Sequence, residues 1–224
     1  MSRPKVQFDE NDLKWFGDFY KSKEFSEALA IVWGYGSHFV DSFVVRNVNR
    51  QVVERFYSLV HKARPVHSYL CTDKKKPYTQ WVCGLHHQHP FVLKIKTMGW
   101  VPITHGDKPY PVGQFDEETF IKTYAQLHHS LDTSRSKETG YIRPRLRFHG
   151  TQGVLGRITV YLSERISVRK KKVQNHKVSD KTKTLQYTSK TEIPQILEYI
   201  GAPASLEKYH SLELGYEKTI KINK

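Results

Sequence analysis

Arg143, Arg145 and Arg147 alternate with Ile142, Leu146 and Phe148. On a β-strand a period of two sends the arginines to one face and the apolar residues to the other. Guanidinium forks on such a face bind phosphate or the major-groove edge of guanine. The bland alternative is charge that protects an exposed sheet edge. Pro144 interrupts the alternation, which implies an edge or a bulge. A second basic run, Arg169-Lys170-Lys171-Lys172, is followed by Gln174, Asn175, His176 and Lys177. It reads as a strand whose amides, set beside cations, suit base-edge contacts. On the strand returning from it, Leu185 and Tyr187 should face a core, and Thr184 and Gln186 should face outward, with Lys183 at its start. The first half of the chain is poorer in such groups: Arg46, Lys74, Lys75, Lys76 and Gln80 are its candidates.

The overall charge agrees with a polyanionic partner. The 224 residues carry 36 Lys and Arg against 22 Asp and Glu, a net charge of +14. From Ser134 to Lys190 there are 15 basic and 3 acidic residues. Positive charge concentrated in this way points to nucleic acid. With 38% apolar residues the chain can bury a core. No run approaches the roughly 20 apolar residues that span a bilayer, so no membrane partner is expected. Residues 1–12 lack the apolar centre of a secretory signal. Two cysteines do not make a disulfide framework, which favours a reducing, cytoplasmic home.

Two other chemistries are suggested and weaken on inspection. Cys71, Cys83, His86, His87 and His89 invite zinc, but their spacing matches no common finger, and buried free cysteine explains the pair. Tyr35 stands where an apolar run ends, yet no arginine–histidine cluster lies near it in sequence to make a nucleophile.

The elements that must position these groups recur. Leu13, Trp15, Phe16 and Phe19 mark a short amphipathic helix in an extension, residues 1–24. Ser26 is placed to cap the next helix, which carries Ala28 to Tyr35. A strand region from His38 to Val48 follows, and its hairpin looks truncated. Asn49 caps a helix from Arg50 to Lys62. Val66–Cys71 and Tyr78–Cys83 form a hairpin, and Pro90 opens a helix that ends at Gly99. Residues 101–115, rich in Gly and Pro, form a linker. The order then repeats. Asp116 caps a helix through His128, Leu131–Gly150 holds a hairpin, and Val154, Ile158, Leu162 and Ile166 mark a helix. Val168–Ser179 pairs with Thr182–Thr188. Ser189 to Glu192 forms a capping box for a helix through Ile200. Two α-β-β-α-β-β-α units, residues 25–100 and 116–224, lie in one chain, an α+β architecture with internal duplication.

The duplication resembles the single-chain LAGLIDADG homing endonucleases. Ala28 to Gly36 aligns with the motif helix, with Ala30 and Gly34 at its small-residue packing positions. The run Ile121 to Ser130, 93 residues on, is the second copy, with Thr123 and Leu127 at those positions. The resemblance implies two pseudo-symmetric units whose antiparallel sheets form a saddle over double-stranded DNA, in a monomer. It also implies an acid at the end of each motif helix to hold a divalent metal. Here those positions are Tyr35 and His128, and the other motif acid is Trp33 in one copy and Gln126 in the other. Mg²⁺ demands oxygen ligands, which neither a phenol nor an imidazole supplies well. The expectation is therefore a catalytically degenerate relative without a cofactor, which binds DNA with sequence preference as a transcription regulator. One alternative is a divergent nuclease that holds Mg²⁺ through Asp41 and Asp132. Another is an RNA-binding splicing cofactor of maturase type.

Overall fold

The computed structural model describes residues 7–39, 42–72, 76–102, 107–176 and 182–216. Contacts divide the chain into two compact units, the first ending at Leu127 and the second starting at His128.

The first unit opens with α1 (Glu10–Tyr20), held by a reciprocal capping box in which Asp9 accepts from Asp12 N and Asp12 accepts from Asp9 N. Next comes α2 (Lys23–Tyr35), in which nearly every residue from Phe25 to Trp33 is buried. Its cap is Ser22, not Ser26. The Ser22 hydroxyl accepts from Phe25 N, and the backbone at Ser22 is extended, so the helix starts before Ser26 is reached. Ser26 instead lies inside the helix and accepts from Asp116 N at 2.8 Å.

The helix ends because the chain turns into a strand at Gly36. A Cβ there would stand 2.6 Å from both Val32 O and the Phe43 ring, so only glycine fits this close approach. β1 (Gly36–Phe39) pairs with β2 (Ser42–Asn47) in register Ser37 with Val44. The strand region is thus a short hairpin that starts two residues before His38. Asn49 caps α3 (Arg50–Leu59) by accepting from Gln51 N. β3 (His67–Cys71) and β4 (Tyr78–His86) complete a sheet of order β1-β2-β4-β3. α4 (Pro90–Thr97) follows, and Gly99, at φ +92°, leaves it. Phe19, Phe25, Phe56 and Phe91 meet edge to face and tilted in the core.

α5 (Glu117–Leu127) also belongs to the first unit, although it opens the second repeat in chain order. Asp116 caps it by accepting from Thr119 N. It packs against α2, where the Phe120 and Trp33 rings meet edge to face.

The second unit repeats the topology. β5 (His129–Arg135) and β6 (Ile142–Gly150) form a hairpin, then come α6 (Gln152–Ile166), β7 (Gln174–Asn175) and β8 (Lys183–Tyr187). The sheet order is β5-β6-β8-β7, the same sequence of neighbours as in the first sheet. α7 (Glu192–Ile200) stops at Gly201, φ +72°. An unexpected α8 (Pro203–His210) follows, its Lys208 donating to Leu131 O, and the chain beyond it returns to bridge Ile142 through Gly215.

Two expectations in this unit are corrected. The basic run Arg169–Lys172 is not a strand. Its backbone donors go to helix side chains, Arg169 N to Glu192 Oε1 and Lys171 N to Thr159 Oγ1, so only Gln174 and Asn175 pair with β8. The capping box at Ser189 is half formed for the same reason. Ser189 Oγ accepts from Glu192 N, but the Glu192 carboxylate takes Arg169 N and Lys171 Nζ rather than reaching back. No helix among the described residues is long and apolar enough to cross a membrane.

Candidate nucleic-acid interface

In the second sheet Leu146, Phe148, Leu185 and Tyr187 are fully buried. Cross-strand partners share a face, so the opposite face can be read from the register. It carries Ser130, Asp132 and Ser134 on β5, and Arg143, Arg145, Arg147 and His149 on β6. Gln186 on β8 and Gln174 on β7 continue it, whereas Thr184, expected to face outward with them, lies on this side by register but is buried beneath its neighbours. Gln186 lies directly beside Arg147, and Thr184 beside His149. This is the polar face that the alternation predicts. Pro144 forfeits no sheet bond there. Ile142 N points away from β5 to Gly215 O, so the proline two residues on faces the same side, where β8 has already ended at Tyr187.

Asp132 stands across from Arg145. Its two oxygens take Arg145 Nε at 2.7 Å and Nη2 at 3.0 Å, and Arg147 Nη2 at 2.6 Å. Partial burial opposes its ionisation. The Arg145 hydrogen bonds and the charges of Arg145, Arg147 and Lys208 outweigh that and hold the carboxyl below the usual range. The same bonds raise Arg145. His149 is pushed below the usual imidazole range by burial and then by Arg147 and His176, which favours the neutral ring at pH 7. Ser130 Oγ lies 3.2 Å from His149 Nε2. Arg143 is exposed at the outer end of the row.

The other candidates fall in several places. Arg169 is exposed but lies off the sheet. Lys171 lies on the helix side, bonded to Glu192 and 5.6 Å over the Tyr187 ring. Lys183 bonds Asn175 Oδ1, and both share the register of Leu185, so they sit at the margin of the buried face. In the first sheet Arg46 and Gln80 lie on the face away from the Phe43–Leu85 core pair. Arg46 donates to Ser37 Oγ, and Gln80 accepts from Tyr69 Oη. Lys76 is exposed between β3 and β4. Asp41, Lys74, Lys75 and Lys177 lie outside the described residues.

The motif helices end without a metal-binding set. Tyr35 donates to Leu127 O at 2.7 Å, tying the end of α2 to the end of α5. Burial raises its pKa, which opposes a role as nucleophile. Further along the same helix end, Trp100 Nε1 donates to Val32 O, Lys108 Nζ donates to Trp33 O, and Trp33 Nε1 donates to Pro109 O. The Lys108 bond satisfies a carbonyl that the helix C-terminus leaves open, the Trp100 bond adds a second donor to a Val32 O that already accepts from Gly36 N, and the Trp33 bond ties the helix end to the Pro109 loop. His128 follows α5, and its carbonyl accepts from His149 N. Among the described residues no three His, Cys, Asp or Glu side chains gather to hold a metal. Cys83 is buried and donates to Arg64 O, whereas Cys71 is half-buried at the sheet edge rather than in the core. His89 caps α4 through Nδ1 and reaches His61 O through Nε2.

Asp132 appears in the sequence only as a candidate metal ligand. Its pairing with two arginines depends on hairpin register, which the alternation of Arg143 to Arg147 cannot give.

No family model matches the sequence, and no curated protein does. Solved structures do match. The homing endonuclease I-WcaI, bound to its DNA recognition sequence, superposes with a TM-score of 0.58 at 10% identity, over 95% of this chain and 96% of that one. The fold is the LAGLIDADG fold. The meganuclease I-AabMI, bound to uncleaved DNA, gives 0.51 at 9% identity over 85% of this chain and 89% of that one. Full-length WhiA from Thermatoga maritima gives 0.51 at 15% identity over 92% of this chain. The match spans 61% of WhiA. Two LAGLIDADG repeats with one sheet order thus account for the internal duplication.

Proposed function

We propose that this chain is a sequence-preferring double-stranded DNA-binding protein that does not cut its target. The observation that carries the reading is the outer face of the second sheet, where Arg143, Arg145, Arg147, Gln186 and Gln174 lie in adjacent strands. A strand face of arginines and amides fits the donor and acceptor pattern of the major groove. LAGLIDADG structures solved with DNA support the choice of duplex over other polyanions. Tyr35 and His128 at the motif positions, and the engagement of both Asp132 oxygens by arginine, argue against metal-dependent hydrolysis. We read its role as regulation of transcription through occupancy of that site. Binding relies on cations at phosphates, so affinity should fall steeply with salt.

The test is selection from a random duplex DNA pool with Mg²⁺ present, with bound and cut molecules scored separately. Enrichment of intact sites with salt-dependent affinity is the expected result. Enriched sites that are cut would restore the nuclease reading. Absence of enrichment, with structured RNA bound in competition, would replace DNA by RNA.

A further inference from the structure

We propose that Asp132 is a positioning residue that makes Arg145, with Arg147 beside it, a reader of guanine in the major groove rather than a phosphate clamp. The inference rests on the duplex DNA reading above.

The geometry of the forks carries it. A guanidinium has five N–H groups in one plane. Arg145 gives the edge formed by Nε and Nη2 to Asp132. The edge formed by Nη1 and the second hydrogen of Nη2 remains for another acceptor pair, and guanine O6 and N7 form such a pair. Arg147 gives one Nη2 hydrogen to the same carboxylate. Among the described residues its buried Nε has no acceptor, and Asp132 holds its plane. The two side chains are only 29% and 27% exposed and cannot sweep the surface as free cations do. A fork fixed before binding loses less freedom on contact.

Charge argues in the same direction. The Asp132 carboxyl is ionised across the working pH range, held so by the arginines against its partial burial. Two guanidiniums and one carboxylate leave a net of one positive charge at the cluster. A phosphate oxygen approaching it meets a fixed negative charge, whereas a base edge presents neutral acceptors. Arg143, exposed two residues away, has no such carboxylate opposite it, since its register partner is Ser134. It suits a phosphate. The row therefore divides into one positioning contact and two reading contacts. Gln186, beside Arg147, supplies an amide for a neighbouring base.

The experiment uses the full chain and the duplex enriched from the random pool. Each guanine in turn is replaced by 7-deazaguanine, which removes N7 and leaves the phosphates unchanged. The wild type should lose about three- to tenfold at one or two adjacent guanines, as expected for one of the two bonds in a bidentate pair of about 1–3 kcal/mol. Asp132→Asn should lose most of that sensitivity while gaining affinity for random duplex. Arg145→Lys, which keeps the charge without the fork, should keep the salt slope and lose the sensitivity. It tests the assignment even if Asp132→Asn does not fold. Sensitivity to 7-deazaguanine that persists unchanged in a folded Asp132→Asn would overturn the positioning role. A wild type that binds a selected site with no sensitive guanine would overturn guanine reading but leave DNA binding intact. A wild type that binds no duplex would remove both.

Discussion

Lys108 offers a sharp test of how the end of α2 is held. Its ammonium is 4% exposed, donates to Trp33 O at 2.8 Å and lies 5.0 Å over the Trp100 ring. Burial pushes its pKa from 10.5 down to about 8. The folded value lies below the unfolded one, so between these values the unfolded chain binds more protons, and stability rises with pH. At about 1.4 kcal/mol per unit, the gain from this group is about 2.5 kcal/mol between pH 7 and pH 10. Lys108→Met keeps the length of the side chain and removes the titration. At pH 7 it relieves a buried charge and strands the Trp33 carbonyl, which costs about 1–3 kcal/mol. The two nearly cancel, so wild type and variant should be of similar stability there. At pH 10 the wild type should be more stable by about 2.5 kcal/mol. Urea unfolding followed by tryptophan fluorescence suits the measurement, because Trp15, Trp33, Trp81 and Trp100 all lie in the first unit and report on it alone. The gap between the two proteins cancels the titration of every other lysine and tyrosine. A gap that stays constant from pH 7 to pH 10 would refute the depressed pKa and with it the account of a desolvated ammonium at the helix end.

Gly36→Ala should destabilise the first unit by about 2 kcal/mol or more, since the new methyl meets backbone at Val32 O as well as the Phe43 ring; a melt within 1 °C of wild type would contradict the close approach. Arg143→Ala should weaken binding to every duplex sequence alike and lower the slope of log affinity against log salt by about 1, read by fluorescence anisotropy across a salt series. Of the two cysteines, only half-buried Cys71 should react with a thiol reagent in the folded protein. Burial pushes Cys83 up to about 12, so its thiolate should form only on unfolding. Two fast equivalents in native buffer would contradict this.

Local signals reached far into this fold. Asn49 and Asp116 act as the caps their positions predict, because a cap requires only a side chain and the next turn of backbone. The alternation from Arg143 to Arg147 finds its outward face, because period two is a property of one strand. Failures begin where a second element decides. Ser22 supersedes Ser26 because the helix already begins at Lys23, which leaves the Ser26 hydroxyl inside it as an acceptor for Asp116 N from the neighbouring helix. Arg169 to Lys172 reads as a strand only by its place before Thr182–Thr188, since lysine is poor in sheets, and Glu192 and Thr159 supply partners that a strand would otherwise seek in a ladder. α8 follows the helix expected through Ile200 because Pro203, which ends one helix, also serves at the first position of a new one. The role of Asp132 required the register of β5 against β6, which is fixed by packing on the buried face rather than by the residues that pair on the outer one.

The bond from Tyr35 to Leu127 O limits which side chains position 35 can carry. An aspartate at this position would have no proton to give that carbonyl. Its charge would also lie at the negative end of the α2 dipole, an unfavourable place for an anion. Tyr35→Asp would therefore loosen the seam between α2 and α5. The end of α2 is thus committed to holding the first unit together, and a side chain there must bring a proton rather than a charge.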